Sequence, residues 1–213
     1  YVGLLDKVIQ WCKDHEYCYE FINNKFYGLP FETNDTISKE GVKDYMTSIS
    51  KYSPRDYQIE GVYDALRHNR RLLISPTASG KSLMIYSIVR YHVERGQNTL
   101  IVVPTTSLVE QMYKDFADYG WDVGSYCHKI YAGRERETDS QVIITTWQSI
   151  YKLPRKYFSR FNVVVGDEAH QFKSKSLISI MTKLGDAKYR YGVTGTLDGT
   201  QTHKWVLEGL FGP

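Results

Sequence analysis

The run LLISPTASGKSLMI, residues 72–85, breaks an apolar stretch with Pro, Thr, Ala, Ser, Gly and Lys before apolar residues resume. This change predicts a strand, a loop of small residues and then a helix. Backbone N–H groups in such a loop converge at the start of the helix, where they favour an anion. The rest of the chain has to show whether that anion is a nucleotide.

Beyond this run, apolar segments alternate with segments of helical periodicity. The run at 99–105 is continuously apolar, which is typical of a strand covered on both faces, and 162–170 is predicted to supply another fully buried strand. Further strands are predicted at 72–75, 125–131, 142–146 and 189–196, and helices at 54–68, 81–95, 107–119, 147–152 and 174–183. The alternation predicts an α/β fold with a doubly wound, mainly parallel sheet. Ligands of such sheets bind beyond the carboxyl ends of the strands.

The first 50 residues have a different character. A helix is predicted at 2–14, a strand at 17–22, and a second helix at 39–49 with Ser38 as its N-cap. We therefore predict a small, partial α/β accessory domain at 1–50 and a main domain at 51–213. Residues 1–50 carry five Lys and eight acids, net −3, whereas the remainder carries 22 Lys plus Arg against 16 acids, net +6. The main domain is thus the better candidate for a polyanionic partner.

Composition excludes several classes of protein. With 213 residues, 42% of them hydrophobic, the chain can form a substantial core. No apolar run approaches the roughly 20 residues that span a bilayer, and the first residues lack a basic leader. We therefore expect a soluble, intracellular protein without a membrane partner. Cys12, Cys18 and Cys127 have no metal-type spacing, so neither a disulfide framework nor a zinc site is expected.

The loop after the first main-domain strand, SPTASGKS at 75–82, fits the phosphate-loop pattern G-x-x-x-x-G-K-[ST], with Ser in place of the first Gly. In this geometry Lys81 reaches the β and γ oxygens of a nucleotide and the Ser82 hydroxyl coordinates Mg²⁺. ATP and Mg²⁺ are therefore the expected ligands. The alternative is an ordinary strand-to-helix turn with a solvated lysine. The ATP-binding residues predicted for the loop are Thr77, Ala78, Ser79, Gly80, Lys81 and Ser82.

Two adjacent acids end the apolar run in VVVGDEAH, residues 163–170. Neighbouring carboxylates at a strand terminus repel each other, so they need either a cation or exposure to water. Asp167 can bind Mg²⁺, and Glu168 can orient and deprotonate the water that attacks a γ-phosphate. An exposed acidic turn is the alternative when this segment is taken alone.

The segments PTASGKS (76–82), DEAH (167–170) and TGT (194–196) together resemble motifs I, II and III of superfamily 2 helicases and translocases. The resemblance covers about residues 53–213 and implies a RecA-like motor domain. Within the superfamily, the chain is similar to the branch that contains recombination helicases of T4-like phages, restriction-enzyme translocases and nucleotide-excision helicases. One departure is Ala78, where Gly is common in these families.

The resemblance also implies residue roles. Lys81, Asp167 and Glu168 would be catalytic, and His170 would couple the nucleotide site to Thr194 and Thr196. Simple hydrogen-bonding roles at a turn and a strand end are the alternatives for these last three residues. YSPRDYQ at 52–58 resembles the adenine-recognition segment, in which Gln58 would bond the adenine edge with Arg55 nearby.

Nucleic-acid contacts are implied in the same way. VVPTTSLVEQM at 102–112 would place Thr105 on the sugar-phosphate of a bound strand, and ITTWQSI at 144–150 would add Thr145 or Thr146. Such contacts position a strand without reading its sequence. The basic cluster KLPRKYFSR, 152–160, either binds phosphates or is a solvated loop.

The resemblance predicts a DNA helicase that acts on branched DNA in replication, recombination or repair. An RNA helicase, a non-hydrolysing nucleic-acid module with a vestigial loop, and a small-molecule kinase are the alternatives. The motor proteins it resembles close a second RecA-like domain over the nucleotide, and that domain supplies an arginine finger. No such domain is encoded here, so we expect the N-terminal part of a longer protein that hydrolyses ATP poorly by itself, since an arginine finger contributes about 10³ to 10⁵ in rate.

Overall fold

The computed structural model describes residues 2–20, 32–76, 79–131, 137–172, 174–195 and 201–213. Its centre is one six-stranded sheet in the order β1-β6-β5-β2-β4-β3, and all five strand pairings are parallel. The strands are β1 (Arg70–Ile74), β2 (Thr99–Val103), β3 (Cys127–Ile130), β4 (Val142–Thr146), β5 (Val163–Asp167) and β6 (Tyr189–Thr194). The predicted α/β class with a parallel, doubly wound sheet is confirmed.

Helices cover both faces of this sheet, so β2, β4 and β5 are buried along their whole length. One apolar cluster lies between the sheet and α2 to α6, and a second between the sheet and α7 to α10. None of the helices in the described part of the chain is long and apolar enough to cross a membrane. The helices are α1 (Leu5–Asp14), α2 (Lys39–Ile49), α3 (Asp56–Arg67), α4 (Lys81–Val93), α5 (Thr106–Asp118), α6 (Val123–Tyr126), α7 (Trp147–Ile150), α8 (Arg155–Phe158), α9 (Lys175–Lys183) and α10 (Gln201–Phe211).

The strand order decides which loops meet. β6 lies between β1 and β5, with Ile74 of β1 in register with Thr194 and Asp167 of β5 in register with Val193. The Ser75 N–H extends the first pairing by donating to the Thr194 carbonyl at 2.8 Å. The loop after β1 and the acids after β5 therefore leave the sheet at one edge, separated by a single strand.

The N-terminal 50 residues follow the prediction only in part. The helix at 39–49 is present, and the Ser38 side chain accepts a hydrogen bond from the Gly41 N–H at 3.1 Å. Its Val42 and Met46 join the apolar cluster of the main sheet. The strand predicted at 17–22 is wrong for residues 17–20, which form no strand; residues 21 and 22 lie outside the described part. Tyr17 stacks on Trp11 of α1, with ring centres 5.2 Å apart. The boundary between an accessory and a main domain at residue 50 stays a prediction.

Candidate functional site

Lys81, the first residue of α4, meets the two acids at the end of β5. Its Nζ forms an ion pair with Glu168, 87 positions along the chain, and lies 3.8 Å from Asp167 Oδ1. The side chains of Lys81 and Asp167 are only 16% and 9% exposed. Charges this far from water require compensation, and these three side chains supply it to one another.

Asp167 is the most buried member of this group. Burial raises the pKa of its carboxyl, while the charge of Lys81 and a hydrogen bond from the Glu168 N–H at 2.9 Å act in the opposite direction. The carboxylate would therefore gain from additional positive charge. Mg²⁺ is commonly held by one or two carboxylates together with substrate phosphates, so Asp167 fits a metal bound with a nucleotide.

Glu168 adopts a left-handed backbone, with φ 50° and ψ 51°, and precedes a 3-10 turn at Ala169–Gln171. A residue with a side chain costs about 1–2 kcal/mol in this conformation, and such strain is found most often at functional sites. His170 Nδ1 lies 3.3 Å from Glu168 Oε2 and 3.0 Å from Thr194 Oγ1. The structure thus brings Glu168, His170 and Thr194 together; Thr196 lies outside the described residues.

The phosphate loop is held by side chains from the first turn of α3. The Ser79 carbonyl accepts hydrogen bonds from the Tyr57 hydroxyl at 2.7 Å and from Gln58 Nε2 at 2.9 Å. Gly80 then takes a left-handed conformation, φ 76° and ψ 40°, from which α4 begins. Thr77 and Ala78 lie outside the described residues.

Gln58, predicted to bond adenine, is only 4% exposed in this structure. Its Oε1 accepts a hydrogen bond from the Arg55 N–H at 2.9 Å, and its Nε2 donates to the Ser79 carbonyl of the loop. Reading a base would require Gln58 to share or exchange these partners, so its contact with adenine stays a prediction. The Arg55 guanidinium donates to the Tyr57 hydroxyl at 3.0 Å. Sequence reasoning missed Tyr57, although it stands directly before Gln58.

Ser82 engages a neighbour that the sequence did not indicate. Burial raises the pKa of the Asp115 carboxyl on α5, and a hydrogen bond from the Ser82 side chain lowers it. This face of α4 packs against α5, as the contact of Tyr86 with Phe116 shows. Coordination of Mg²⁺ by Ser82 stays a prediction; the hydroxyl oxygen keeps its lone pairs while its proton is donated to Asp115.

The three threonines predicted to contact nucleic acid differ in exposure. Thr105 is exposed and caps α5 by accepting from the Leu108 N–H at 3.3 Å. Thr145 and Thr146 are 0% and 4% exposed, and Thr146 Oγ1 lies 2.9 Å from Ser149 Oγ. Because α7 covers the end of β4, these two buried side chains have no surface to offer a strand in this structure. The contacts of all three threonines with nucleic acid stay predictions, and the exposure of Thr105 favours that residue.

Replacement of Gly80 tests how the loop is held. Gly80→Ala is expected to lower the free energy of unfolding by about 1–2 kcal/mol for the left-handed backbone, and by about 1 kcal/mol more for each Gln58 hydrogen bond lost. The extra loss arises because an added Cβ would collide with Gln58 Nε2. The free energy of unfolding of Gly80→Ala is measured by urea denaturation and compared with that of Gly96→Ala. Gly96 has a similar φ of 72°, and a Cβ there would meet nothing within 4 Å. Equal losses would show that Gln58 does not support the loop.

In this parallel sheet the first strand leads through a glycine-bounded loop into a helix that begins with lysine, and two acids lie at the end of the next strand but one. These features define a RecA-like nucleotide-binding domain. Residues 51–199 match the family described as type III restriction enzyme, res subunit. The chain belongs to this family, in agreement with its resemblance to superfamily 2.

Two relatives extend the comparison. The ATP-dependent DNA helicase uvsW of Enterobacteria phage T4 is 30% identical over 221 residues, which cover 99% of this chain and 43% of the relative. The DNA 3'-5' translocase XPB2 of Sulfurisphaera tokodaii is 33% identical over 167 residues, which cover 76% of this chain and 35% of the relative. The chain therefore spans less than half the length of either protein.

Solved structures agree with the fold. The crystal structure of the UvsW helicase from bacteriophage T4 superposes with a TM-score of 0.84 at 30% identity, covering 99% of this chain and 77% of the other. The SWI2/SNF2 ATPase core of Sulfolobus solfataricus, solved with double-stranded DNA, gives a TM-score of 0.65 at 19% identity over 78% of this chain and 37% of the other. The second likeness supports the RecA-like fold alone.

Proposed function

We propose that this chain is the ATP-binding motor portion of an ATP-dependent DNA helicase or translocase that acts on branched DNA in replication, recombination or repair. The observation that carries the proposal is the contact of Lys81 with Glu168 and Asp167 at one edge of the sheet. A lysine from a phosphate loop and two acids from the end of another strand of the same sheet are the groups that hydrolysis of a nucleoside triphosphate requires. The helicase and translocase relatives support the choice of DNA.

The ion pair suggests how the site changes when ATP binds. Lys81 is the positive charge beside the acids in this structure. In the ATP-bound state Lys81 would bind the β and γ oxygens, and Asp167 with Ser82 would hold Mg²⁺, which would supply further positive charge. Glu168 is then free to act as a base.

Hydrolysis follows from that arrangement. A water oxygen bonds to the γ-phosphorus, the bond from that phosphorus to the bridging oxygen breaks, and ADP leaves. Glu168 accepts the water proton. His170, 3.3 Å from Glu168 Oε2 and 3.0 Å from Thr194 Oγ1, links this base to the end of β6.

ATP turnover with different nucleic acids tests the proposal. We expect phosphate release by the 213-residue chain to be slow and to rise with forked duplex DNA more than with structured RNA. Greater stimulation by RNA would favour an RNA helicase. The absence of any heat on titration with ATP and Mg²⁺ would favour a binding module without hydrolysis, and either result would overturn the proposal.

A further inference from the structure

The layer formed by α7, α8 and α9 is strongly basic. Residues 147–185 contain two acids, Asp167 and Glu168, and both belong to the nucleotide site. The same segment contains seven basic residues, so its net charge is 7 − 2 = +5. The basic residues are Lys152, Arg155, Lys156, Arg160, Lys173, Lys175 and Lys183.

Two of these cations hold the backbone of the layer in place. Arg160 donates to the carbonyls of Thr138 and Ser140, at 2.5 and 3.0 Å. Lys183 donates to the carbonyls of Tyr151 and Leu153, at 2.6 and 2.9 Å, and so fixes the turn between α7 and α8. That turn, which carries Lys152, is therefore held by hydrogen bonds on both sides of the lysine.

Lys152 and Lys156 project from this fixed segment into solvent, and we call these two residues the α8 basic surface. Neither forms an ion pair with an acid in the described part of the chain. Lys152 Nζ lies 5.5 Å from the centre of the Tyr151 ring. Exposed lysine charges without an acidic partner favour a polyanion.

In contrast to the lysines, the aromatic residues of the same segment pack into the protein. Phe158 and Phe161 are each 1% exposed, and Tyr151 and Tyr157 pack against the same apolar cluster. No aromatic ring of this segment is thus presented as a platform on which the bases of a single strand could stack. Protein interfaces need an apolar centre, and no large apolar side chain of residues 147–160 is exposed. The surface offers cationic groups alone, which suits the phosphates on the outside of a duplex.

We propose that the α8 basic surface binds the phosphate backbone of duplex DNA, in addition to the strand expected at Thr105. The inference rests on the proposed function, since it assigns a surface to the DNA on which that function acts. It places a duplex arm beside α7 and α8, on the face of the sheet opposite α2 to α5.

Salt-dependent binding tests this assignment. Fluorescence anisotropy of a short labelled duplex is followed from about 50 to 200 mM salt with the unaltered chain and with Lys152→Gln/Lys156→Gln. Each lost phosphate contact should reduce the slope of log K against log salt by about 0.9, so the double variant should lose about 1.8. Lys43→Gln/Lys114→Gln is the matched control, because it removes two exposed lysines from α2 and α5 on the other face.

The outcomes separate this inference from the proposed function. A slope loss confined to the Lys152/Lys156 variant, with unchanged ATP affinity, supports the α8 basic surface. Equal slopes for both double variants overturn it, while DNA-stimulated hydrolysis by the unaltered chain would still support the motor function. A slope loss with single-stranded DNA but not with duplex also overturns it. Failure of the unaltered chain to bind any DNA overturns both.

Discussion

Glu168→Gln is expected to bind ATP with nearly unchanged affinity and to hydrolyse it about 10² to 10⁴ times more slowly, which is the usual contribution of a general base. Glutamine has the size of glutamate, and its amide oxygen can still accept a hydrogen bond from Lys81, which the Glu168 carboxylate accepts in this structure. It cannot accept a proton from water. The change therefore removes the chemical role of Glu168 and leaves its contacts largely in place.

Phosphate release under single-turnover conditions measures the chemical step, and calorimetry with ATP and Mg²⁺ measures binding. Glu110→Gln is the matched control, because Glu110 is also an ion-paired glutamate, 2.7 Å from Lys129 Nζ. This ion pair connects α5 with β3. Its hydrolysis rate should equal that of the unaltered chain. Undiminished hydrolysis by Glu168→Gln would assign the base to another residue.

Most of the main domain could be predicted from the sequence because its buried strands are visible as apolar runs. Buried parallel strands such as β2 and β5 contain runs of apolar residues, three or more in succession. The same reasoning fails for the strand predicted at 17–22, of which residues 17–20 form no strand. Its aromatic residues suit a strand, but Tyr17 finds its partner in Trp11 of the preceding helix. A local pattern does not reveal which neighbour a side chain will have.

In the candidate site, too, local motifs could be predicted and contacts between distant segments could not. Lys81, Asp167 and Glu168 could be identified because phosphate binding and metal binding require these residue types at strand ends. The burial of Thr145 and Thr146 could not, because it depends on how α7 folds over the end of β4. The same holds for Tyr57, whose hydroxyl reaches the Ser79 carbonyl 22 positions away. Contacts between distant segments depend on the strand order, which a single sequence does not show.

Lys81→Ala is expected to weaken ATP binding about 10- to 150-fold, because a hydrogen bond to a charged group contributes about 1.5–3 kcal/mol. Hydrolysis should fall further, since Lys81 is also placed to stabilise charge on the β and γ oxygens. Lys129→Ala is the matched control: its side chain is also 16% exposed and also pairs with a glutamate. It should leave ATP affinity unchanged, and equal losses in the two variants would point to general unfolding rather than phosphate binding.

The pH dependence of stability gives Lys81 a second, independent test. Its charge lowers the pKa of Asp167, which burial raises above the ordinary value of 3.8, so Lys81→Ala should raise that pKa further. Above the ordinary pKa the folded state then holds a proton that the unfolded state has lost, and stability falls as the pH rises through this window. Urea denaturation from about pH 4 to about pH 7 should therefore show a steeper loss for Lys81→Ala than for the unaltered chain. Parallel curves would mean that Lys81 and Asp167 are not electrostatically coupled, and the shared triphosphate site would lose its main support.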